Sequence, residues 1–258
     1  MKIFKKLLAA ALVICLCLTF VGCSSGKTLD GIKNSGKLIM ATSPDFPPFE
    51  MLEGSEVVGI EVEILEKFAN TIGVELVIEQ MDFESVLPGI QSGKYDVGVS
   101  GITITEDRKK NADFTVPYFM ASQAIVVLKD SPIKSKEDLK GKKISVQTGT
   151  TAEEYCMGEG YEVLAFQANN DACSALTSGK VDAWVVDNEV AIDLSGKTNG
   201  QTIVLDEAMT SEPYGFAFPK GSETVVAEFN KYIEEWIADG TIEAIFDKYN
   251  VPYVAPEK

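Results

Sequence analysis

The chain has 258 residues, a length that allows one large hydrophobic core or two smaller ones. Its hydrophobic content of 45% and charged content of 24% are typical of a globular protein and argue against a wholly disordered chain. The net charge of −16 predicts an acidic surface that repels phosphate backbones and anionic lipids. Nucleic-acid binding through a basic face is therefore not expected.

The first 22 residues have the layout of a secretion signal. Three lysines precede an apolar run over residues 7–21, and the small residue Gly22 and then Cys23 follow it. The alternative is a membrane anchor helix, but this run is shorter than the roughly 20 residues needed to cross the hydrocarbon core. We therefore predict a signal peptide over residues 1–22.

The segment Phe20–Cys23 resembles the lipobox of bacterial lipoproteins, in which the cysteine is acylated and becomes the new N-terminus. By that resemblance Cys23 carries the lipid, although Phe20 stands where the motif usually has leucine. The resemblance implies an extracytoplasmic protein that a lipid anchors to the cell membrane. Residues 23–36 are assigned to the lipidated N-terminus and a flexible tether.

Cys156 and Cys173 remain in the mature chain once the signal is removed and Cys23 is acylated. Export permits a disulfide between them, and the alternative that we favour is two separate buried thiols. The sequence contains no histidine and no cysteine spacing typical of a zinc site. No metal and no cofactor are predicted.

After the tether, strand-length apolar runs alternate with amphipathic stretches, a rhythm that predicts parallel sheets with helical crossovers. In the first half, we predict strands over 37–42, 74–79 and 97–99, and helices over 61–72 and 83–91. In the second half, we predict strands over 143–147, 163–166 and 181–186, and helices over 152–157 and 171–177. Two further helices, 222–239 and 242–249, carry apolar stripes that indicate core packing.

An internal repeat links the two halves. The segment Ser92–Gly101 is echoed by Ser178–Asp187, and in both a Ser-Gly-Lys turn follows a helix and leads into an apolar strand. Ser-Gly-Lys alone is a common helix stop, but the preceding strand and helix match in the same order. The repeat therefore predicts two similar lobes. Because ligands bind beyond the carboxyl ends of parallel strands, it also predicts two facing half-sites.

The loop over residues 41–50, directly after the first strand, is stiffened by three prolines. It holds Phe46 and Phe49, and we expect at least one of these rings to face a ligand rather than the core. Asp45 and Glu50 on the same loop are candidates to pair with a cationic side chain, or are ordinary surface acids.

The segment 100–108 follows the first repeated strand. Gly101 allows close approach of the backbone to a small molecule, and the Thr103 hydroxyl and nearby amides can donate to a carboxylate. Arg108 falls in a short helix that Thr105 begins, and its guanidinium matches a carboxylate with two parallel hydrogen bonds. The alternative is a surface arginine paired with one of the two acids that precede it.

The segment 147–151 runs from the end of a strand into the start of a helix, where free amides form an anion site or an ordinary N-cap. Asp187 ends the second repeated strand, and the preceding run 183–186 supplies no cation to pair with it. A ligand ammonium would satisfy such a buried carboxylate. A carboxylate clamp in one lobe and an ammonium acceptor in the other suit a zwitterionic amino acid.

These segments resemble the bacterial extracellular solute-binding proteins of family 3, the polar amino acid receptors of ABC importers, from Leu38 to about Tyr249. Gly59–Ile64 matches the short signature of that family, with Phe68 a departure further along. Gly101–Arg108 and Tyr214–Gly221 are similar to the corresponding segments of glutamine-binding protein.

By that resemblance, Arg108 grips the α-carboxylate with help from the Thr103 and Thr151 amides. Asp187 takes the α-ammonium together with Ser100. Phe46 and Phe83 sandwich the ligand side chain, while Ser43 and Gln147 stand where relatives carry Asp and Lys and bear on side-chain specificity. The predicted ligand-binding set is Ser43, Asp45, Phe46, Phe83, Ser100, Gly101, Thr103, Arg108, Gln147, Thr150, Thr151 and Asp187.

The resemblance also implies the fold: an α/β, two-lobed periplasmic-binding-protein fold of type II, each lobe a mostly parallel sheet flanked by helices. Lobe one is assigned to residues 37–117 and 214–258, lobe two to residues 118–213, and two hinge strands join them. The lobes are expected to close over a polar or basic amino acid. The closed form of this monomer would be recognised by an ABC permease.

Two other functions remain open. An enzyme of the same fold, a prephenate- or arogenate-type dehydratase, would need a general acid in the cleft. With no histidine, its candidates are Asp187, Asp45 and Glu50. The third possibility is a ligand-sensing receptor domain that signals through a partner protein. We expect a binding protein and no catalytic residue.

Overall fold

The computed structural model describes residues 26–256 and contains two five-stranded sheets flanked by helices. The signal peptide and Cys23 lie outside these residues. The strands are β1 Lys37–Thr42, β2 Asp45–Phe46, β3 Glu50–Glu53, β4 Glu56–Val58, β5 Glu75–Gln80, β6 Val97–Gly98, β7 Ala112–Phe114, β8 Phe119–Ala121, β9 Gln123–Leu128, β10 Lys143–Gln147, β11 Glu162–Phe166, β12 Ala183–Asp187, β13 Thr202–Val204, β14 Glu212–Tyr214 and β15 Ala217–Pro219. The helices are α1 Leu29–Ser35, α2 Ile60–Ile72, α3 Phe83–Gln91, α4 Glu106–Lys109, α5 Thr151–Gly158, α6 Asn169–Thr177, α7 Asn188–Gly196, α8 Glu223–Ala238 and α9 Thr241–Lys248, with a 3-10 turn over Lys136–Leu139.

The two sheets share one plan, as the internal repeat predicts. The first has the order β5-β1-β6-β15-β7 and the second β11-β10-β12-β9-β13. In each, a central strand runs parallel to two neighbours: β1 pairs with β5 and β6, and β10 pairs with β11 and β12. The equivalent register pairs are Met40 with Val97 and Ile144 with Ala183. The polar ends of β6 and β12 therefore occupy equivalent places in the two sheets.

Neither sheet is mostly parallel, which corrects one detail of the predicted fold. The other two neighbour pairs of each sheet are antiparallel, through β15 in the first sheet and β9 in the second. Along the chain, β9 directly follows β8, and β15 directly follows β14.

We call the first sheet with its helices, together with the small sheet β2-β3-β4 that packs on α2, lobe one, and the second sheet with its helices lobe two. The chain passes between them at β8 and β14, which form an antiparallel pair with Phe119 opposite Tyr214. The predicted lobe boundaries, 117/118 and 213/214, lie beside or within these two strands and stay a prediction. Among residues 26–256 no helix is both long and apolar enough to cross a membrane.

Most predicted elements begin and end within one or two residues of their predicted bounds. The predicted tether over residues 23–36 is too long. Residues 29–35 form helix α1, which the Thr28 hydroxyl caps and which ends at Gly36 in the left-handed region at φ +71°. The backbone amide of Lys27 donates to the Ser222 hydroxyl at 2.8 Å. The folded part of the chain therefore begins before residue 29.

The two cysteines are separate thiols. Both are buried and free, with Cys156 in the lobe-two cluster around Ile144 and Cys173 in the larger cluster that contains Trp184. Burial raises the pKa of the Cys156 thiol to about 12, so this group stays protonated and unreactive at neutral pH. Of the two alternatives, the structure has the pair of buried thiols.

Candidate functional site

A narrow cavity lies between the two lobes, with a volume of about 10 Å³. That volume holds about one water molecule, so the lobes must separate before an amino acid can enter between them. Lobe one supplies six of the predicted residues, one from β2 and five from α3, α4 and the segment after β6. Lobe two supplies the other four. The lining residues are Phe46, Phe83, Ser100, Gly101, Thr103, Arg108, Gln147, Thr150, Thr151 and Asp187.

Arg108 reaches across the cavity from lobe one. Its helix is capped by Thr105, whose hydroxyl accepts the Arg108 backbone amide at 3.2 Å. The guanidinium donates from Nη1 to the Thr103 carbonyl at 2.9 Å and from Nη2 to the Gly149 carbonyl of lobe two at 3.2 Å. Burial lowers the pKa of Arg108, an effect that nearby acids oppose. The alternative of a surface arginine paired with Glu106 or Asp107 is wrong, because those acids pair with two lysines.

Asp187 lies at the end of β12 in lobe two and is buried. Its Oδ1 accepts a short hydrogen bond from the Gln123 side-chain amide, a neutral partner that the run 183–186 does not reveal. Burial and the charges of Glu212 and Glu189 raise the pKa of the Asp187 carboxyl well above its ordinary range, while Arg108 opposes this. The group is short of positive charge, as a site for an ammonium would be.

Glu212 is a central residue that the sequence analysis missed. It is buried on β14. Its Oε2 accepts from the Thr103 hydroxyl of lobe one at 2.7 Å and from the Thr151 hydroxyl of lobe two at 2.6 Å, and Oε1 accepts from Thr210 at 2.9 Å. One carboxylate oxygen therefore joins both lobes beneath the cavity. The only sequence signal was an acid beside a proline just before the Tyr214–Gly221 motif.

Ser43 and Asp45 do not line the cavity, in contrast to the prediction. The Asp45 carboxylate points across the cleft, where Oδ2 accepts from the Gln147 side-chain amide at 3.0 Å and from the Asn169 backbone amide at 2.8 Å. The Ser43 hydroxyl donates to the other carboxylate oxygen at 2.8 Å. Both side chains are thus engaged in a contact between the lobes.

Three more predicted residues make hydrogen bonds within the protein itself. The Gly101 amide donates to Glu61 at 2.7 Å and the Ser100 hydroxyl bonds the backbone of Ser43, so neither is a free donor at the cavity. Thr150 is an N-cap, since its hydroxyl accepts from the Glu153 amide at 3.2 Å. All three residues line the cavity.

The aromatic side of the cavity depends on a glycine. Gly101 has φ +54°, and a Cβ built there would lie 2.3 Å from the Phe46 ring. The guanidinium carbon of Arg108 lies 5.8 Å from the centre of the Phe83 ring. Phe49 is fully buried in the core, so of the two phenylalanines on the proline-rich loop only Phe46 faces the cavity.

Glu50 is neither a surface acid nor a cavity residue. It is fully buried beside Glu61, and burial together with that second carboxylate raises the pKa of Glu50 well above its ordinary range. Glu61 accepts from the Tyr118 hydroxyl at 2.6 Å as well as from Gly101. The pair therefore supports the loop after β6 from inside lobe one.

The geometry brings a guanidinium and a carboxylate from opposite lobes to one enclosed space, and comparison with known proteins gives the family. The family model for bacterial extracellular solute-binding proteins, family 3, matches residues 38–252. The chain belongs to this family. A probable histidine-binding protein of Campylobacter jejuni subsp. jejuni is 32% identical over 256 residues, which cover 96% of this chain and 99% of the relative.

Solved structures agree with this assignment. An ancestral arginine-binding protein bound to arginine aligns with a TM-score of 0.78 and 41% identity, covering 83% of this chain and 98% of the other. The ancestral amino acid-binding protein AncCDT-1, a precursor of cyclohexadienyl dehydratase, aligns with a TM-score of 0.80 and 33% identity over 86% and 98% of the two chains. The two-lobed fold is confirmed. Family membership gives the chain a substrate-binding role and an extracytoplasmic location, and the named relatives favour binding over catalysis.

Proposed function

We propose that this protein captures one L-amino acid with a polar or basic side chain between its lobes and delivers it to an ABC permease. The observation that carries the proposal is the shared cavity of Arg108 and Asp187. Arg108 would bind the α-carboxylate through a bidentate pair, and Asp187 would bind the α-ammonium. The Thr103 and Thr151 amides would assist at the carboxylate. Phe46 and Phe83 would hold the side chain.

The charges around the cavity favour a cationic side chain. Arg108 is the only cation among the ten lining residues, whereas Asp187 is an acid and Glu212 lies directly behind two of the lining threonines. A zwitterion would neutralise Arg108 and Asp187 and leave the Glu212 charge in excess. Complementary charge raises both specificity and association rate. The histidine- and arginine-binding relatives named above support the same class.

Closure follows from the position of the two charged groups. A ligand shifts the lobes towards the closed form only if it binds that form better than the open one. Charge-assisted contacts to Arg108 in one lobe and Asp187 in the other are made together only when the lobes are closed. Micromolar affinity, about −8 kcal/mol, is a reasonable order of magnitude for such a site.

The remaining parts of the proposal concern location and partners. Lipid on Cys23 would anchor the mature protein, as a monomer, beside its permease. Expression of the full chain with and without Cys23→Ser tests the anchor: membrane fractionation should recover the wild type with the membrane and release the variant. A variant that stays with the membrane would contradict lipid anchoring at this residue.

Binding is tested by the shift in melting temperature with each of the twenty amino acids, because a ligand that binds the native state raises it. We expect the largest shifts with basic or polar amino acids and none with Arg108→Ala. No shift with any amino acid would overturn the proposed function. A dehydratase would instead consume a prephenate-type substrate, so recovery of the bound amino acid unchanged separates binding from catalysis.

A further inference from the structure

Helix α6 of lobe two starts without a capping side chain of its own. Its N-cap residue is Ala168, which has no side-chain acceptor. The first turn of a helix leaves four backbone amides without intrahelical partners, and residues such as Ser, Thr, Asp or Asn usually satisfy one of them. At α6, an acceptor for one of these amides comes from the other lobe.

That acceptor is Asp45, on β2 of lobe one. Its Oδ2 accepts the Asn169 backbone amide at 2.8 Å, at the first residue of α6. The same oxygen accepts the Gln147 side-chain amide at 3.0 Å, and Gln147 Oε1 in turn accepts from the Asn169 side chain at 2.9 Å. We call this contact, formed by Asp45, Gln147 and Asn169, the interlobe cap.

Asp45 is held ready for this contact within lobe one. The Ser43 hydroxyl donates to its Oδ1 at 2.8 Å, and the proline-rich loop limits the backbone between them. Asp45 lies outside the cavity lining, so its carboxylate is not directed at the enclosed space. The bond between Asp45 and Asn169 joins the lobes without lining the cavity, so its contribution to closure is the same whichever ligand is bound.

We propose that Asp45 sets the affinity of this protein for all its ligands alike, by capping α6 across the cleft and so stabilising the closed form. Ligand selectivity is left to the cavity itself. Opening separates Asp45 from Asn169, because the two lie on different lobes that are joined through β8 and β14. The affinity part of the inference rests on the proposed amino acid binding, whereas the closure part does not.

The first test is calorimetric titration of wild type and Asp45→Ala with L-arginine and with L-glutamine. Loss of a cap costs about 0.5–2 kcal/mol, which corresponds to about a 2- to 30-fold weaker affinity. We expect the same factor for both amino acids. A loss confined to L-arginine would show that Asp45 pairs with a cationic side chain, and unchanged affinities would overturn the interlobe cap. Glu53→Ala, which removes an exposed acid from β3 of the same lobe, is the matched control.

A frayed α6 is the competing explanation for a weaker affinity. Ala168→Ser gives that helix a cap of its own in both the open and the closed form. If fraying caused the loss, Ala168→Ser combined with Asp45→Ala would restore the affinity. The interlobe cap predicts that the affinity of the double variant stays low.

The second test needs no ligand and therefore stays decisive if no amino acid binds. A Cβ at Gly149 of lobe two would lie 3.3 Å from Cβ of Glu84 in lobe one, close to the spacing of a disulfide. Glu84→Cys with Gly149→Cys, in a Cys23→Ser background, would trap the closed form under a mild oxidant. We expect Asp45→Ala to slow trapping about 2- to 30-fold, and Glu53→Ala to leave it unchanged. Equal trapping rates with and without Asp45 would overturn the proposal.

Discussion

The Thr103 hydroxyl of lobe one donates a 2.7 Å hydrogen bond to the Glu212 carboxylate on the second crossing strand. The same oxygen accepts from Thr151 of lobe two, so the charge of Glu212 lies at the junction of the lobes. Glu212→Gln keeps the shape and removes the charge. We expect affinity for L-arginine to fall about tenfold more than affinity for L-glutamine, because the excess negative charge favours a cation. Calorimetry measures both affinities, and Glu223→Gln, a change at an exposed residue, is the control. An equal loss of affinity for the two amino acids would contradict a role of Glu212 in selectivity.

Arg108 should be indispensable. Truncating one partner of a buried, hydrogen-bonded charge pair costs about 2–5 kcal/mol. Arg108→Ala is therefore expected to weaken amino acid binding by a factor between about 30 and more than about 1,000. Arg108→Lys should restore little, since an ammonium cannot reproduce the two parallel bonds. The neighbouring Lys109→Ala, an exposed change of the same charge, should bind normally. Retained affinity in Arg108→Ala would remove the carboxylate clamp.

Binding should release a proton from Asp187. Burial near Glu212 and Glu189 raises the pKa of this carboxyl well above its ordinary range, and a ligand ammonium would lower it again. Affinity for L-arginine is therefore expected to increase as the pH rises from about 5, and to level off above the pKa of the empty site. Calorimetry at about pH 6 in two buffers of different ionisation enthalpy measures the released proton. Asp187→Asn should show no release, and proton uptake by the wild type would contradict this assignment.

Glu50 should lower stability at neutral pH. Its pKa is raised in the folded state by burial and by Glu61, so the folded protein binds its proton more tightly than the unfolded chain does. The free energy of unfolding that Glu50 contributes is fully present below its unfolded pKa, near 4.5, and is lost as the pH rises through the folded pKa.

Glu50→Gln is neutral at every pH and should therefore raise the melting temperature at pH 7. We expect a gain on the order of 1 kcal/mol, or about 2–4 °C for a chain of this size. The gain should vanish near pH 4, where the wild-type carboxyl is also neutral. Thermal unfolding across this pH range checks both points, with exposed Glu53→Gln as the control. A gain that is independent of pH would mean that shape, rather than ionisation, is responsible.

Much of the cavity was predictable because parallel strands place their carboxyl ends at one edge of a sheet. The repeat located Ser100 and Asp187 at equivalent strand ends, and the Thr105 cap located Arg108 in a short helix. Pattern and resemblance together identified all ten lining residues. Whether they bind a ligand stays a prediction until the tests above are made.

The errors have a common physical origin. Asp45 and Glu50 stand on the correct loop, but the direction of each side chain is set by tertiary contacts. Asp45 bonds Asn169, which lies 124 residues away along the chain, and Glu50 is buried beside Glu61. Glu212 lies on β14, a three-residue strand that is too short to show a periodic pattern. Within residues 26–256, β14 pairs only with β8 and, at one bridge, with Thr103. Residues fixed by such long-range pairing leave little trace in local pattern.

The place of β15 between β6 and β7 also bears on the order of assembly during synthesis. The sheet of lobe one cannot be completed until residue 219 has been made, whereas all five strands of the lobe-two sheet lie between residues 123 and 204. Because a nascent chain emerges N-terminus first, every strand of the lobe-two sheet is synthesised before the last strand of the lobe-one sheet.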